Sequence, residues 1–210
     1  MSARRSLSQT LAWAFDGGVS ATPSDDEVNP DGLYERAMRL QREGQLEAAL
    51  GAYGDVIRAD PEFAEAYYGR ASVHFALGNL DQTINDCHHA IELRRNFVEA
   101  YLLRGGAFWG KAAEASSGDA SLAGCCEQTV SDCTRVIAAQ PRAGRAYFYR
   151  GMAYWALANR PMAKHDLENA VVLLDKLEWR AEAEAWLKEL KRPRLLSRYD
   201  RDSWHVYCGR

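Results

Sequence analysis

The chain has 210 residues, enough for one sizeable domain or a short repeat array. Hydrophobic residues make up 47% and charged residues 26%, with a net charge of -3 and a pI of about 6.0, so no global basic excess points to nucleic acid. No apolar run approaches the roughly 20 residues a membrane span requires, so neither nucleic acid nor a membrane is an expected partner.

The N-terminus, MSARRSLSQTLAWAF, has two arginines and no acid before Asp16. It lacks the roughly 7–15-residue apolar core of a secretory signal, and a mitochondrial presequence is the minor alternative. Leu7, Leu11 and Phe15 are spaced by four and predict a short amphipathic helix, ended by Asp16-Gly17-Gly18. The polar stretch VSATPSDDEVNP then reads as a linker, so residues 1–29 form an N-terminal segment. The five cysteines form neither a C-x-x-C pair nor a disulfide framework, which predicts a reducing, intracellular and cytoplasmic setting.

From residue 30 the chain repeats. Leu33, Ala37 and Leu40 precede Gly44, and Leu46, Ala49, Tyr53 and Val56 lead to Asp60-Pro61. Tyr67, Ala71 and His74 precede Gly78, and Leu80, Thr83, Cys87 and Ala90 lead to Arg94-Arg95. Tyr101, Gly105 and Phe108 open a third copy, which Thr129, Cys133 and Val136 close at Gln140-Pro141. Tyr147, Gly151 and Tyr154 open a fourth, followed by Ala163, Leu167 and Ala170. Each copy predicts two helices, and the small residues sit where those helices approach. Cys87 and Cys133 share a column and read as small core residues. Gly44 to Gly78 is 34 residues, as is Tyr67 to Tyr101.

Tyr101 to Tyr147 is 46 residues, so the third copy holds 12 extra, placed at 112–123 (AAEASSGDASLA). The alanines would lengthen the first helix, Ser116-Ser117-Gly118-Asp119 would turn, and Ser121 could cap the next helix. A second column supports this register. Arg70 precedes Asp86 by 16 and Arg150 precedes Asp166 by 16, while Arg104 precedes Asp132 by 28, which becomes 16 once the insertion is removed. These three pairs read as ion pairs that lock one hairpin each, with no catalytic role.

This pattern resembles the tetratricopeptide repeat family over residues 30–175, with its 34-residue period. The copies Tyr67-x-x-Arg70-Ala71, Tyr101-x-x-Arg104-Gly105 and Tyr147-x-x-Arg150-Gly151 match its arginine-glycine variety, from which the first copy departs with Leu33. The resemblance implies an all-α fold, a right-handed α-solenoid of four helical hairpins at 30–63, 64–97, 98–141 and 142–175. Residues 176–192 predict a C-terminal capping helix, its Leu177, Ala181 and Ala185 facing the fourth hairpin while Glu178, Glu182, Lys188 and Glu189 stay wet. Residues 193–210 form a basic, aromatic tail.

The resemblance also implies which side chains line the concave face. They are Tyr34, Glu35, Met38 and Gln41; Tyr68, Gly69, Ser72 and Phe75; Leu102, Leu103, Gly106 and Trp109; and Phe148, Tyr149, Met152 and Trp155. Exposed together, these would approach or exceed the few hundred Å² of apolar patch a soluble monomer presents. The expected function is therefore non-catalytic: an adaptor or scaffold binding an apolar or aromatic peptide, anchored on Phe75, Trp109, Phe148, Tyr149 and Trp155. Alternatives are a groove filled by the chain's own Leu7/Leu11/Phe15 or Trp204/Val206/Tyr207 segment, a homo-oligomer interface, or an accessory subunit of an enzyme complex. The family's clamp for an acidic chaperone C-terminus would fall on Tyr34, Met38, Gly69, Glu99 and Leu103, none of them basic, so that partner is not expected. No cofactor, metal or catalytic residue is expected: Cys87-His88-His89 lies on a helix where adjacent side chains diverge, and no phosphate loop or nucleophile elbow occurs.

Overall fold

The computed structural model describes residues 29–115 and 120–191. Among these the chain is all helix and loop: α1 (Pro30–Arg42), α2 (Leu46–Ala59), α3 (Ala64–Ala76), α4 (Leu80–Leu93), α5 (Val98–Glu114), α6 (Ala120–Ala139), α7 (Gly144–Ala156), α8 (Arg160–Leu173) and α9 (Leu177–Lys191). The Leu7/Leu11/Phe15 helix, the turn at 116–119 and the C-terminal tail lie outside the described residues. Each odd helix pairs with the even helix after it, each even helix packs on the next odd one, and α9 lies on α8 in the same way. The result is a linear stack of antiparallel hairpins.

The tight turns have one chemistry. Gly44 and Gly78 each adopt φ 77° just past the helix, and Ala158 adopts φ 60° at the same place. In each, the left-handed residue donates its N–H to the carbonyl three residues back, and the next residue donates to the carbonyl before that one. The pairs are Gly44 to Gln41 and Gln45 to Leu40, Gly78 to Phe75 and Asn79 to His74, and Ala158 to Trp155 and Asn159 to Tyr154. This satisfies carbonyls that would be orphaned at the helix end. Even helices stop differently, on an extended residue at Asp60 (φ -140°) and Arg94 (φ -134°). Proline follows Asp60 and enforces that conformation, whereas Arg94 adopts it without one.

The third hairpin is taller. α5 has 17 residues where α3 has 13, and α6 has 20 where α4 has 14, so the insertion extends both helices. Ser121 lies within α6 and not at its cap.

Within a hairpin, small residues let the backbones approach. Ala37 and Ala71 are fully buried, and a Cβ at Gly105 or Gly151 would stand 3.2 Å from Cys133 Sγ or 3.0 Å from Leu167 Cγ. The approach brings Thr83 and Thr129 hydroxyls to the facing carbonyls of Ala71 (3.4 Å) and Gly105 (3.2 Å). It also seats three bidentate pairs: Arg70–Asp86 (2.8 and 2.7 Å), Arg104–Asp132 (2.8 and 2.8 Å) and Arg150–Asp166 (2.7 and 2.9 Å). The carboxylate partner, beside the alanine-lined cleft, is 7%, 2% and 0% exposed in turn. The first hairpin has Arg36 in this column but Ala52 opposite it, so it lacks the pair.

Between hairpins, Ala66 and Val73 of α3 join the core of the first hairpin, and Ala100, Ala107, Ala146 and Ala153 hold the same columns, all fully buried. The first hairpin carries Gly32 and the exposed Arg39 there, so its outer side is polar. The other end of the array is covered by α9. Its packing face is Trp179, Ala183, Trp186, Leu187 and Leu190, while Leu177 (78% exposed), Ala181 and Ala185 face solvent. The contact face is thus rotated away from the expected alanines, because the large rings bury more area and set the roll of the helix. Glu182, expected to be wet, is carried onto the half-buried side with them.

Two outcomes follow for stability. Ala158→Gly should stabilise by roughly 0.5–1 kcal/mol, because relief of the left-handed strain exceeds the freedom glycine adds to the unfolded chain; the midpoint of thermal unfolding should rise by about 1–4 °C. Asp166→Ala should destabilise by about 3 kcal/mol, since it strands the Arg150 guanidinium in a site where it is 13% exposed. A chemical denaturation midpoint unchanged by Asp166→Ala would mean the pair does not lock the hairpin.

Candidate functional site

The concave face is built by α1, α3, α5 and α7, each contributing residues at matched positions. At its N-terminal end, Tyr34 packs on Phe63 (ring centroids 5.1 Å) and Tyr53 (5.9 Å). The Tyr53 hydroxyl donates to Gln41 Oε1 (2.7 Å), Gln41 Nε2 donates to Ser72 Oγ (2.8 Å), and Ser72 Oγ donates to the Gly69 carbonyl (2.7 Å). Burial pushes the Tyr53 phenol up to about 12, so it stays a donor across the physiological range. Gly69 is obligatory: a Cβ there would stand 2.4 Å from the Tyr53 ring. One repeat on, Tyr68 packs on Phe97 (5.0 Å), and Arg94 lies 3.5 Å over that ring while its Nη1 reaches Glu65 at 2.6 Å.

The C-terminal end is closed. Phe148, Tyr149 and Met152 are 2%, 5% and 1% exposed. Trp179 of α9 meets Phe148 (5.5 Å) and Tyr149 (6.0 Å) edge-on, and Trp186 meets Trp155 at 4.9 Å. Arg145 donates to the Tyr149 hydroxyl (2.9 Å) and lies 5.2 Å from the Trp179 ring. On the other side a Cβ at Gly106 would stand 3.1 Å from the Tyr149 ring, so α5 receives that ring directly. Trp109 is 9% exposed and belongs to the core that includes Ala112 and Cys126 of the tall hairpin.

The residues expected to line an open groove therefore divide. Tyr68, Phe75, Leu102, Leu103 and Trp155 are half-buried on the concave side, with Tyr34 and Met38 beside them. Trp109, Phe148, Tyr149 and Met152 are core residues: Trp109 is buried with Ala112 and Cys126 of the tall hairpin, and α9 brings an indole onto Phe148 and Tyr149 where a groove was expected. Arg145, Trp179 and Trp186 were not singled out in the sequence. The signal for the tryptophans was present: two indoles seven residues apart with Ala183 between them define a helix face.

The remaining reactive groups are quiet. Burial pushes the Cys126 thiol up to about 11 and raises Cys87 and Cys133 further, which suppresses their thiolates. His88 and His89 both reach Glu92, at 3.2 and 3.5 Å. Among the described residues no His/Cys/Asp/Glu cluster could hold a metal ion, and no helix is long and apolar enough to cross a membrane.

Family models for the TPR repeat and the tetratricopeptide repeat match residues 39–78 and 64–97. Residues 39–97 of the chain thus match the tetratricopeptide repeat. Among solved structures of proteins with this repeat it resembles a thermophilic repeat protein of Thermus thermophilus, with TM-score 0.60 and 22% identity over 77% of this chain and 80% of that one. It also resembles the first repeat domain of Spaghetti (RPAP3), solved with the HSP90 peptide SRMEEVD, with TM-score 0.55 and 25% identity over 62% of this chain and 94% of that one. In sequence it is 38% identical to the Protein SGT1 homolog of Oryza sativa subsp. japonica over 75 residues, 36% of this chain and 20% of that protein. The matched stretch spans a fifth or less of such curated relatives.

Glu182 offers a test of how α9 closes this repeat array. Burial raises its carboxyl above the ordinary glutamate range. The folded state then holds the proton to higher pH than the unfolded state, so stability from this group is lost as pH rises through the folded value. Glu182→Gln should therefore be more stable than the parent at neutral pH, the difference vanishing in acid where both forms are uncharged. A difference that does not shrink as pH falls would show that Glu182 is not desolvated against α7.

Proposed function

We propose that this repeat protein is a non-catalytic interaction adaptor that holds an apolar or aromatic peptide on the open part of its concave face. Tetratricopeptide arrays are protein-interaction scaffolds, and the repeat domain of RPAP3, which this chain resembles, holds a peptide. The observation that carries the reading is the row Tyr68, Phe75, Leu102 and Leu103. These half-buried apolar side chains lie on two successive odd helices; Tyr68 and Leu102 lean partly on the core, whereas Phe75 and Leu103 belong to neither hydrophobic core. Apolar surface of this kind, rimmed by polar groups, marks a docking site.

An acidic peptide such as the one on RPAP3 is not the ligand this face favours. Glu99 stands exposed on α5, and Glu65 already holds Arg94. Gly69 has no room for a side chain, so no cation could be accommodated there without displacing Tyr53. The ligand favoured is apolar, with neutral or basic flanks.

Peptides selected from a random display library on the purified full chain should bind with Phe75 and Leu103 as anchors. Phe75→Ala should weaken the selected peptide by about 2 kcal/mol or more if that ring is central. The replacement at an exposed site elsewhere, Val172→Ala, should leave binding unchanged. If Phe75→Ala and Leu103→Ala both retain parental affinity in a folded chain, the groove is not the binding site.

A further inference from the structure

Two rows of side chains border the open concave face. The second residue of each odd helix from α1 to α7 is Asp31, Glu65, Glu99 and Arg145. Asp31 and Glu99 are exposed, as is Glu35 one turn into α1. Near the opposite ends of those helices the matched residues are Gln41, Phe75, Trp109 and Trp155, and Trp186 of α9 packs on the last of them. The face thus has an acidic edge at Asp31, Glu35 and Glu99, and an aromatic edge on which Phe75 is open while Trp109 is buried and Trp155 is covered by Trp186.

α9 ends at Lys191, five residues past Trp186, and so at the aromatic edge. Arg160, at the start of α8, fixes that end by donating to the Leu190 carbonyl at 2.5 Å. The chain continues for 19 residues, RPRLLSRYDRDSWHVYCGR, with five arginines, two aspartates, and Leu195, Leu196, Tyr199, Trp204, Val206 and Tyr207. This segment carries +3, whereas residues 29–191 carry -4.

We infer that residues 192–210 dock in the chain's own concave face as a displaceable occupant, their apolar side chains on Phe75, Leu102 and Leu103 and their arginines toward Glu99 and Asp31. The inference rests on the groove reading above and adds its regulation. The reach is sufficient: 19 residues extend to about 60 Å, and four helix spacings of about 10 Å separate α9 from α1. Tethering holds the segment at an effective concentration on the order of millimolar, so a modest intrinsic affinity fills the site. A partner must then compete with it. The N-terminal segment is the poorer occupant. Residues 1–28 carry four acids against two arginines, and Asp25, Asp26 and Glu27 precede Asp31 by only four to six residues in sequence.

The test uses the full chain with the photocrosslinker p-benzoylphenylalanine in place of Trp204, in a mixture of isotopically labelled and unlabelled protein. Crosslinks from that position to α3 or α5 of the same molecule are expected. Crosslinks to even helices, crosslinks joining labelled to unlabelled molecules, or none to the odd helices would each overturn the proposal. In a second arm, Arg198→Glu with Arg201→Glu should raise binding of 1-anilinonaphthalene-8-sulfonate several-fold, and adding Phe75→Ala should abolish the rise; unchanged dye binding overturns the proposal. If both arms fail while Phe75→Ala still weakens the selected peptides, the groove stands and only its self-occupancy falls. If neither Phe75→Ala nor Leu103→Ala affects those peptides, the groove itself is refuted.

Discussion

The close approach of the two helices in each hairpin is the constraint on which the rest depends. It requires alanine or glycine at positions 37, 71, 105 and 151. It also places an arginine of one helix beside an aspartate of the other in three of four hairpins. A buried pair of this kind adds little net stability over a well-packed apolar pair. What it supplies is geometry, because two parallel hydrogen bonds donated from Nε and Nη2 hold the planar guanidinium and the carboxylate in one plane in all three pairs. Each of these three hairpins is thus locked at a fixed helix roll, and with the roll fixed, the same columns of α3, α5 and α7 turn to the same side.

The first hairpin shows what happens without the lock. Ala52 replaces the aspartate, and the Tyr53 ring instead crosses beneath α3 into the space left by Gly69, with its hydroxyl on Gln41. The junction between first and second hairpins is held by a ring and a polar chain, where later junctions rely on alanine columns. Gly106 receives Tyr149 in the same manner from the other direction. Glycine at these two positions therefore marks where an aromatic ring crosses between neighbouring hairpins.

The repeat period, the turn residues, the arginine–aspartate columns and the insertion could all be read from spacing, because each is a local rule repeated at fixed distance. Phe148 and Met152 could not be sorted from Phe75 and Leu103 in that way. All four occupy concave columns of odd helices, and nothing in their own helix separates core from surface. What separates them is the next element along. Among the described residues α9 follows the fourth hairpin without an even partner, and an alanine face for α9 would place the two tryptophans outside the contact. Once Trp179 is inside, the burial of Phe148 and Tyr149 follows from ring contacts. The discrepancy is one of helix roll, which period alone fixes poorly when small and large apolar residues compete for the same side.

That roll has a functional consequence. Aromatic content along the concave columns rises toward the fourth hairpin, which by itself would place a binding site there. The rise instead matches the coverage of the fourth hairpin by α9, since an open array exposes its last apolar face unless something covers it. Large rings at the end of the stack bury that face with a single helix, and the outer side of α9 is left to Glu178, Glu184 and Lys188. The accessible apolar surface is thereby displaced toward α3 and α5, between an acidic edge and the exit of the C-terminal segment. An apolar residue in a groove column is consequently not evidence of a groove until the helix that follows it has been placed.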